Sequence, residues 1–259
     1  MKLNLYQVDA FTHQVFKGNP AAVCSLTEWL PDHVMQSIAA ENNLAETAFF
    51  VATDTGFHIR WFTPTVEVDL CGHATLASAH VLFEHLNFRN EKVIFSSRSG
   101  DLIVKKIASG YQMDFPNQTP FPCDKFNLAE QTFGRRPVKC LCNQDYVIVF
   151  DDETFVREFE PDFGKLKEWD LRGVTITAKS DEYDFVSRFF APNYGIDEDP
   201  VTGSSFTQLA PYWAEKLDKN QLKAKQVSNR GGEVLCEVKG NRVLLSGDCV
   251  TYLMGEIHI

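Results

Sequence analysis

The sequence predicts an α+β protein of two lobes related by a pseudo-twofold axis, each a curved, mostly antiparallel sheet rolled around one central helix. Three observations lead to this fold class. An ordered set of motifs occurs twice along the chain, each copy contains one long helical pattern, and short strand-like segments surround both patterns. Such a repeat indicates duplication of one structural unit, and short strands around a single helix favour α+β layers.

Each copy of the repeat has an F-x-P segment, a glycine turn, an apolar stretch and an S-x-R-x-G-[DE]-[LV] segment. The first copy contains Phe62–Pro64, Cys71–Ala74 and Ser96–Leu102. The second copy contains Phe190–Pro192, Thr202–Ser205 and Ser228–Val234. The spacing from the glycine to the arginine is almost equal in the two copies. Four correspondences in the same order indicate duplication rather than chance.

The apolar stretches that follow the glycine turns are predicted to be the central helices. Residues 74–86 and the segment from Phe206 to Leu217 both carry apolar side chains at helical spacing. Glycine and small polar residues precede each stretch, as is typical of a helix start. Residues 3–8, 147–150 and 243–245 have the composition of strands.

The lobe boundary is predicted within residues 116–122, because the proline-containing segment there breaks the strand pattern. The N-terminal lobe then comprises residues 1–116, and the final run 250–259 is expected to cross back and complete it. The C-terminal lobe comprises residues 117–249. In contrast, the acidic segment 151–160 has alternating faces and is expected to form a solvated hairpin or loop.

Composition excludes several classes of function. The formal net charge is −10, with 25 basic and 35 acidic residues and no basic block, so no nucleic-acid partner is expected. No apolar run reaches the length of a membrane span, and no signal peptide precedes the first strand. The seven cysteines therefore suggest reduced thiols in a cytoplasmic protein. Cys140–Cys142 lacks zinc-site spacing, and no metal site is expected.

The two glycine turns predict an anion site. Facing helix N-termini would offer N–H groups and partial positive charge to a small anionic metabolite, without any arginine. Gly72 and Gly203 would allow the backbone to approach that ligand closely. Taken one at a time, these turns could equally be the starts of ordinary core helices.

Three candidate acid/base residues lie near these turns or just before an apolar strand. They are His73, beside Gly72; Asp199, shortly before Thr202; and Glu46, at the start of the strand-like run 46–50. A carboxyl group beside an apolar strand can be desolvated and suited to proton transfer. Structural roles remain open for each: a strand-edge acid, a turn residue and a core histidine.

Four motifs carry a resemblance to a known family. They are Phe16–Val23, Asn43–Phe49, Cys71–Ala77 and Glu198–Ser204. Together they closely resemble the PhzF-like family, the phenazine-biosynthesis-type isomerases of the diaminopimelate epimerase-like fold. The resemblance runs in order through nearly the whole chain. It implies two similar α+β lobes with the active site between them, no cofactor, and a homodimer.

The resemblance also implies roles for individual residues. Glu46 would be the principal acid/base, with His73 and Asp199 around the reacting part of the substrate. The substrate-binding residues would be Asn19, Cys71, Gly72, Thr202, Gly203 and Ser204. The implied activity is a cofactor-independent isomerase that shifts a proton on a small carboxylate-bearing metabolite.

Two alternatives stay open. A two-thiol racemase needs a cysteine at both helix starts, but Thr202 occupies the position that corresponds to Cys71. Elimination of the kind that resembles proline-racemase-like dehydratases, using this Cys/Thr pair, is still possible. A non-catalytic metabolite-binding protein is the other alternative. Hydrolase and nucleotide-binding signatures are absent from the sequence.

Overall fold

A computed structural model describes residues 1–259 and contains eighteen β-strands and six α-helices. The strands are β1 (Lys2–Ala10), β2 (Asn19–Leu26), β3 (Glu46–Thr53), β4 (Gly56–Phe62), β5 (Glu67–Val68), β6 (Lys92–Ser97), β7 (Gly100–Ile107), β8 (Gly110–Pro116), β9 (Phe121–Pro122), β10 (Lys139–Cys142), β11 (Tyr146–Val149), β12 (Val174–Lys179), β13 (Phe185–Ala191), β14 (Ile196–Asp199), β15 (Gln221–Gln226), β16 (Gly232–Lys239), β17 (Arg242–Gly247) and β18 (Cys249–His258). The helices are α1 (Asp32–Asn42), α2 (Gly72–Glu84), α3 (Phe126–Phe133), α4 (Glu153–Glu158), α5 (Phe163–Leu166) and α6 (Gly203–Leu217).

The chain divides into two compact units. Unit 1 comprises Met1–Asp114 together with Ser246–Ile259, and unit 2 comprises Phe115–Leu245. The run that the sequence predicts to return to the first lobe forms β18, which pairs antiparallel with β1 from Lys2 opposite His258 to Ala10 opposite Cys249. No helix in either unit has both the length and the apolar character that crossing a bilayer would require.

Unit 1 contains a mostly antiparallel sheet. Its strands are ordered β18–β1–β2–β3–β4–β6–β7–β8, and β5 pairs with β4 as well. Only the β2–β3 and β4–β6 pairs are parallel. Helix α2 contacts β1, β2, β3, β7 and β18, and every residue from His73 to Leu82 is buried. A helix without an exposed face has to be enclosed by its own sheet.

Unit 2 repeats this pairing scheme. Its strands are ordered β9–β10–β11–β12–β13–β15–β16, with β14 also pairing with β13. The β11–β12 and β13–β15 pairs are parallel, at the positions that correspond to the parallel pairs of unit 1. Helix α6 is buried along almost its whole length, like α2. The predicted α+β fold class and its duplication are therefore confirmed.

An ion pair is repeated along with the strands. In unit 1, Arg60 donates from Nε and Nη2 to the two carboxylate oxygens of Glu67, at 2.7 and 2.8 Å. In unit 2, Arg188 donates from the same atoms to Glu198, at 2.7 and 2.9 Å. Each guanidinium also lies 5.2 Å from the ring of a phenylalanine two residues later. Both pairs tie an inner strand to the segment that leads into the central helix of the same unit.

The prediction for residues 151–160 is wrong, because they contain helix α4 rather than a hairpin or an open loop. The Asp152 side chain caps this helix by accepting hydrogen bonds from the N–H groups of Thr154 and Phe155, at 2.9 and 3.2 Å. Val156 is buried in the core of unit 2, with Phe155 packed against it. An aspartate N-cap and burial on one helical face outweigh the alternating pattern.

We predict that Glu198→Gln lowers the free energy of unfolding by about 2–4 kcal/mol, because it leaves the buried Arg188 guanidinium without its charge partner. Glu130→Gln is the matched control in the same unit, since its pair with Arg136 is half exposed and worth ~0–1 kcal/mol. Urea unfolding followed by circular dichroism measures both. Equal effects of the two substitutions would contradict the structural importance of the repeated ion pair.

Candidate active site

Glu46 and His73 form a buried contact in unit 1. Glu46 is the first residue of β3 and His73 is the second residue of α2. The Oε2 atom of Glu46 lies 3.2 Å from Nε2 of His73. Both residues are at least nine-tenths buried. A carboxyl group and an imidazole that touch in this way, shielded from water, are suited to proton transfer.

The backbone around Glu46 explains how it reaches this place. Helix α1 ends at Asn42, and its C-cap residue Asn43 has a left-handed φ of 49° that turns the chain back into β3. Strand β3 then pairs in parallel with β2, with Ala21 opposite Glu46. Asn19, fully buried, begins β2 two residues earlier. Gly18 before it has a φ of +64°, and a Cβ there would collide with the carbonyl oxygen of Ala10, so this corner requires glycine.

His73 is held in its neutral form. Burial lowers the pKa of His73 from 6.5 to about 3, because the charged imidazolium loses its hydration in the interior. Its Nδ1 atom lies 3.5 Å from Sγ of Cys71, on the opposite side of the ring from Glu46. A neutral imidazole can donate from one nitrogen and accept at the other. His73 can therefore exchange hydrogen bonds with a ligand without introducing a buried charge.

Glu46, Cys71 and His73 are also the group that could hold a metal ion, since one ligand atom from each lies within 4.8 Å of the others. The thiol approaches Nδ1 of the imidazole, however, and the carboxylate approaches Nε2. One imidazole offers a metal a single nitrogen, so the contacts lie on either side of the ring instead of around one point. The arrangement suits an acid/base cluster better than a metal centre.

The starts of the two central helices have one feature in common, which α1 and α3 also show. Cys71 and Thr202 are the N-cap residues of α2 and α6, and neither helix has a side-chain cap. The short helices α4 and α5, in contrast, are each capped by an aspartate. In α2 the first helical bond runs from Thr75 N–H to the Cys71 carbonyl oxygen, at 3.1 Å. The preceding N–H groups can therefore point at an anionic ligand, as predicted for such turns.

Asp199 and Thr202 form the corresponding polar contact in unit 2. Asp199 is the last residue of β14, and its Oδ2 accepts a 2.5 Å hydrogen bond from the Thr202 hydroxyl. The short loop between them includes Pro200, which stops the strand. Thr202 is buried, and Asp199 is partly buried. This hydrogen bond attaches the carboxylate to the start of α6.

Gln226 is a site residue that the sequence analysis missed. Its side chain is fully buried at the end of β15. It accepts from Thr202 N–H at 2.8 Å and donates to the carbonyl oxygen of Asp199 at 2.6 Å and to Oγ1 of Thr202 at 3.3 Å. One signal was available: alternation along β15 places Gln226 on the same buried face as Leu222 and Ala224. A polar residue at such a position needs partners.

Ser204 takes part in a second polar network that the sequence did not reveal. Its hydroxyl accepts from Nη2 of Arg172 at 2.9 Å. Arg172 also makes a bidentate contact, at 2.8 and 2.6 Å, with the fully buried Asp145. Gln208, one turn further along α6, donates to Asp145 at 2.9 Å. The sequence analysis expected an anion site without arginine, but the structure places a guanidinium beside Ser204.

The structure thus brings together two sets of the predicted residues. Within unit 1, Glu46, Cys71 and His73 form one cluster, with Gly72 as the first residue of α2. Within unit 2, the predicted residues Asp199, Thr202, Gly203 and Ser204 follow one another through the start of α6. Their roles in substrate binding and catalysis remain predictions.

The fold and both residue sets define the class of protein: a duplicated α+β fold with buried polar residues at the starts of its two central helices. A family model described as "Phenazine biosynthesis-like protein" matches residues 8–255. An uncharacterized isomerase of Pseudomonas aeruginosa is 48% identical over 259 residues, which are 100% of both chains. The crystal structure of a PhzF-family phenazine biosynthesis protein of Enterococcus faecalis has a TM-score of 0.98, with 46% identity and 100% coverage of both chains.

The chain therefore belongs to the phenazine biosynthesis-like PhzC/PhzF family, as the sequence motifs suggest. A more distant structure, that of a predicted epimerase of Pseudomonas aeruginosa, has a TM-score of 0.77 at 19% identity, covering 98% of this chain and 99% of the other. At that identity the likeness shows a shared fold. The family and the relative named as an isomerase support an isomerase-type enzyme.

We predict that the His73 imidazole stays neutral from pH 8 down to about pH 4, because its folded-state pKa is about 3. An unfolded histidine takes up a proton near pH 6.5, so stability falls as the pH drops below that value. His73→Gln should reduce this slope by up to about 1.4 kcal/mol per pH unit. Nitrogen-15 NMR of the imidazole and urea unfolding at several pH values measure the two effects. Protonation of His73 between pH 7 and 6 would contradict the assignment.

Proposed function

We propose that the protein is a cofactor-independent isomerase that shifts a proton on a small carboxylate-bearing metabolite, with Glu46 as the acid/base. The observation that carries the proposal is the buried 3.2 Å contact of Glu46 with His73 at the uncapped start of α2. The isomerase-type relatives support the same class of reaction.

Glu46 would remove a proton from an acidified carbon of the substrate and return it at another position. A single carboxyl group can do both, because it is regenerated in its first protonation state when the product forms. Glu46 is the first residue of β3, and the pairing of β3 with β2 fixes the direction from which its carboxyl group would approach the substrate.

His73 would assist without carrying charge. Its pKa of about 3 keeps the ring neutral, so it can donate one hydrogen bond to the substrate as negative charge develops there. The contact of Nδ1 with Cys71 helps to orient the ring. In this role His73 stabilises the intermediate and Glu46 moves the proton.

A substrate carboxylate would bind through N–H groups at the start of α6 and through the polar residues around Ser204. The N–H groups and the helix dipole favour an anion locally, although the protein as a whole has a net charge of −10. Arg172, which is paired with Asp145, donates to the Ser204 oxygen, so the proton of the Ser204 hydroxyl is directed elsewhere and can be offered to a ligand.

The Cys71/Thr202 alternative has weaker support. The Thr202 hydroxyl donates to Asp199 and accepts from Gln226, so its proton and one lone pair are already used within unit 2. Cys71 contacts His73 and stays available as a base in principle. A variant of Cys71 therefore belongs in the same experiment as a variant of Glu46.

We predict that the protein incorporates solvent deuterium at one carbon of a compound from a panel of small cyclic and amino-acid carboxylates. Glu46→Gln should lower the rate by about 100-fold or more, since it removes the transferring group but keeps the shape. Cys71→Ser and Glu130→Gln should retain most of the rate. Proton NMR in deuterium oxide measures the exchange.

The outcomes distinguish three possibilities: an isomerase that uses Glu46 as the base, an enzyme that uses the Cys71 thiol, and a metabolite-binding protein without activity. Exchange that survives Glu46→Gln and disappears in Cys71→Ser would transfer the base function to the thiol. Binding of a panel compound without exchange, unchanged by Glu46→Gln, would instead favour a metabolite-binding protein. Circular dichroism of each variant checks that the fold is retained.

We also propose that the protein is a homodimer, as the family resemblance implies. A set of exposed apolar side chains near β18 supports association: Phe16, Tyr252, Leu253 and Met254. Phe16 and Tyr252 contact each other, with ring centroids 5.5 Å apart. Clustered exposed apolar residues are typical of an interface.

We predict that Tyr252→Lys combined with Met254→Lys converts the dimer to a monomer. Light scattering coupled to size-exclusion chromatography measures the molar mass, and Ile103→Lys, at another exposed apolar side chain of unit 1, is the control. A wild-type protein of 29.4 kDa in solution at micromolar concentration would contradict the homodimer.

A further inference from the structure

We propose that Gln226 is a positioning residue that makes the Thr202 hydroxyl an obligatory donor to Asp199, and so favours the carboxylate form of Asp199. The inference deepens the proposed function, on which it rests for the role of Glu46 as the group that carries the proton. The inference concerns the direction of the Thr202 hydroxyl proton. Hydrogen-bonding partners within unit 2 determine that direction.

The orientation of the Gln226 amide is fixed twice. Its oxygen faces the backbone N–H of Thr202 at 2.8 Å, and an N–H group can only donate. Its nitrogen faces the backbone carbonyl of Asp199 at 2.6 Å, and a carbonyl can only accept. The side chain is fully buried, so no water competes for either group. A flipped amide would set donor against donor and acceptor against acceptor.

This orientation decides what the Thr202 hydroxyl does. The second N–H of the amide points at Oγ1 of Thr202, 3.3 Å away, and Oγ1 accepts from it. A hydroxyl has a single proton to donate. Because Oγ1 cannot donate to the amide nitrogen, its proton is directed to Oδ2 of Asp199, at 2.5 Å. The amide of Gln226 thus acts on Asp199 through Thr202.

A donor fixed on Oδ2 favours the ionised form of Asp199. Oxygen–oxygen distances of about 2.5–2.7 Å are typical of hydrogen bonds to a charged acceptor. A neutral Asp199 could carry its proton on Oδ1 and still accept at Oδ2, as a weaker acceptor than the carboxylate, but a proton on Oδ2 would require the hydroxyl to turn away. The orientation of Gln226 removes that option, since the nearest other acceptor direction is occupied by its own N–H group.

Several charged groups on neighbouring elements have partners of their own. Arg188 on β13 is paired with Glu198, the residue before Asp199. Arg172 is held by its own buried carboxylate partner. Lys225 precedes Gln226 on β15 and donates to a tyrosine hydroxyl. The hydroxyl of Thr202 is the donor to Asp199 whose direction Gln226 controls.

The consequence is a division of labour between two carboxyl groups. In unit 2, Asp199 remains a fixed negative charge at the start of α6, whereas in unit 1 Glu46 cycles between its two protonation states. Two titratable groups whose surroundings separate their protonation states are the usual basis for assigning acid and base roles.

The test is carbon-13 NMR of the Asp199 carboxyl carbon, assigned by its loss in Asp199→Asn and titrated without substrate. We expect Thr202→Val to raise the midpoint by about one unit, because a hydrogen bond to the charged form is lost. Thr202→Ser should retain the wild-type midpoint. Gln226→Met should raise it as well, since the hydroxyl is released to turn away.

A double-mutant cycle separates positioning from general loosening of the loop. If Gln226 acts through the hydroxyl, Gln226→Met adds nothing to the shift in a Thr202→Val background. Additive shifts, or an unchanged midpoint in Gln226→Met alone, would overturn the inference. If Gln226→Met does not fold, neutron diffraction of the wild-type protein decides: deuterium on the Thr202–Asp199 line supports the inference, and deuterium elsewhere on Oγ1 refutes it.

Failure here is distinguishable from failure of the proposed function. The carboxyl titration and the neutron structure need no substrate, whereas the isomerase proposal depends on deuterium uptake that Glu46→Gln abolishes. If the Asp199 carboxyl group titrates as expected but no compound takes up deuterium, the direction of the Thr202 hydroxyl is supported and the isomerase proposal is not. Deuterium uptake that Glu46→Gln abolishes, together with an Asp199 midpoint that Gln226→Met leaves unchanged, would support the isomerase proposal and refute the role of Gln226.

Discussion

The bidentate contact between Arg188 and Glu198 determines the path of the segment from which α6 begins, and Arg60 with Glu67 does the same before α2. Side-chain capping does not set these starts, because neither helix has a side-chain cap. The ion pairs are mostly buried, so their geometry is strict: a guanidinium in a dry interior needs its carboxylate in a single place. The polar residues at the helix starts depend on that constraint for their positions.

The two units share the same supporting ion pair but differ in the residues at the starts of their central helices. The repeated pairs agree in donor atoms, acceptor atoms and distance to a phenylalanine ring. The residues after them differ, with a cysteine and a histidine at one helix start and a threonine and a serine at the other. The ion pairs therefore form a common scaffold in both units. The residues at the helix starts are not needed for this packing, so they can differ between the units and carry the function. A buried polar network then orients each variable set.

Much of the fold could be predicted from the sequence, because the repeat and the helical spacing are local patterns. The family resemblance further predicted the neighbourhoods of Glu46, His73 and Asp199. The ion pairs were not predicted, since the partners lie seven residues apart in one unit and ten in the other. Gln226 and the Arg172 network depend on strand pairing between distant segments, which one sequence does not reveal. The prediction of a hairpin or loop for residues 151–160 was wrong because a single capping aspartate outweighed the alternating pattern of the segment.

The return of β18 to β1 has a consequence for how the chain is made. Unit 2 is one continuous stretch, whereas unit 1 needs β1 beside β18, and the paired residues lie 239 (Ala10 and Cys249) to 256 (Lys2 and His258) positions apart in sequence. During synthesis, unit 2 can close as soon as it has emerged. The sheet of unit 1 gains its β18 strand only after residues 249–258 have left the ribosome. We therefore expect one edge of β1 to stay uncovered until β18 has been made, after the whole of unit 2.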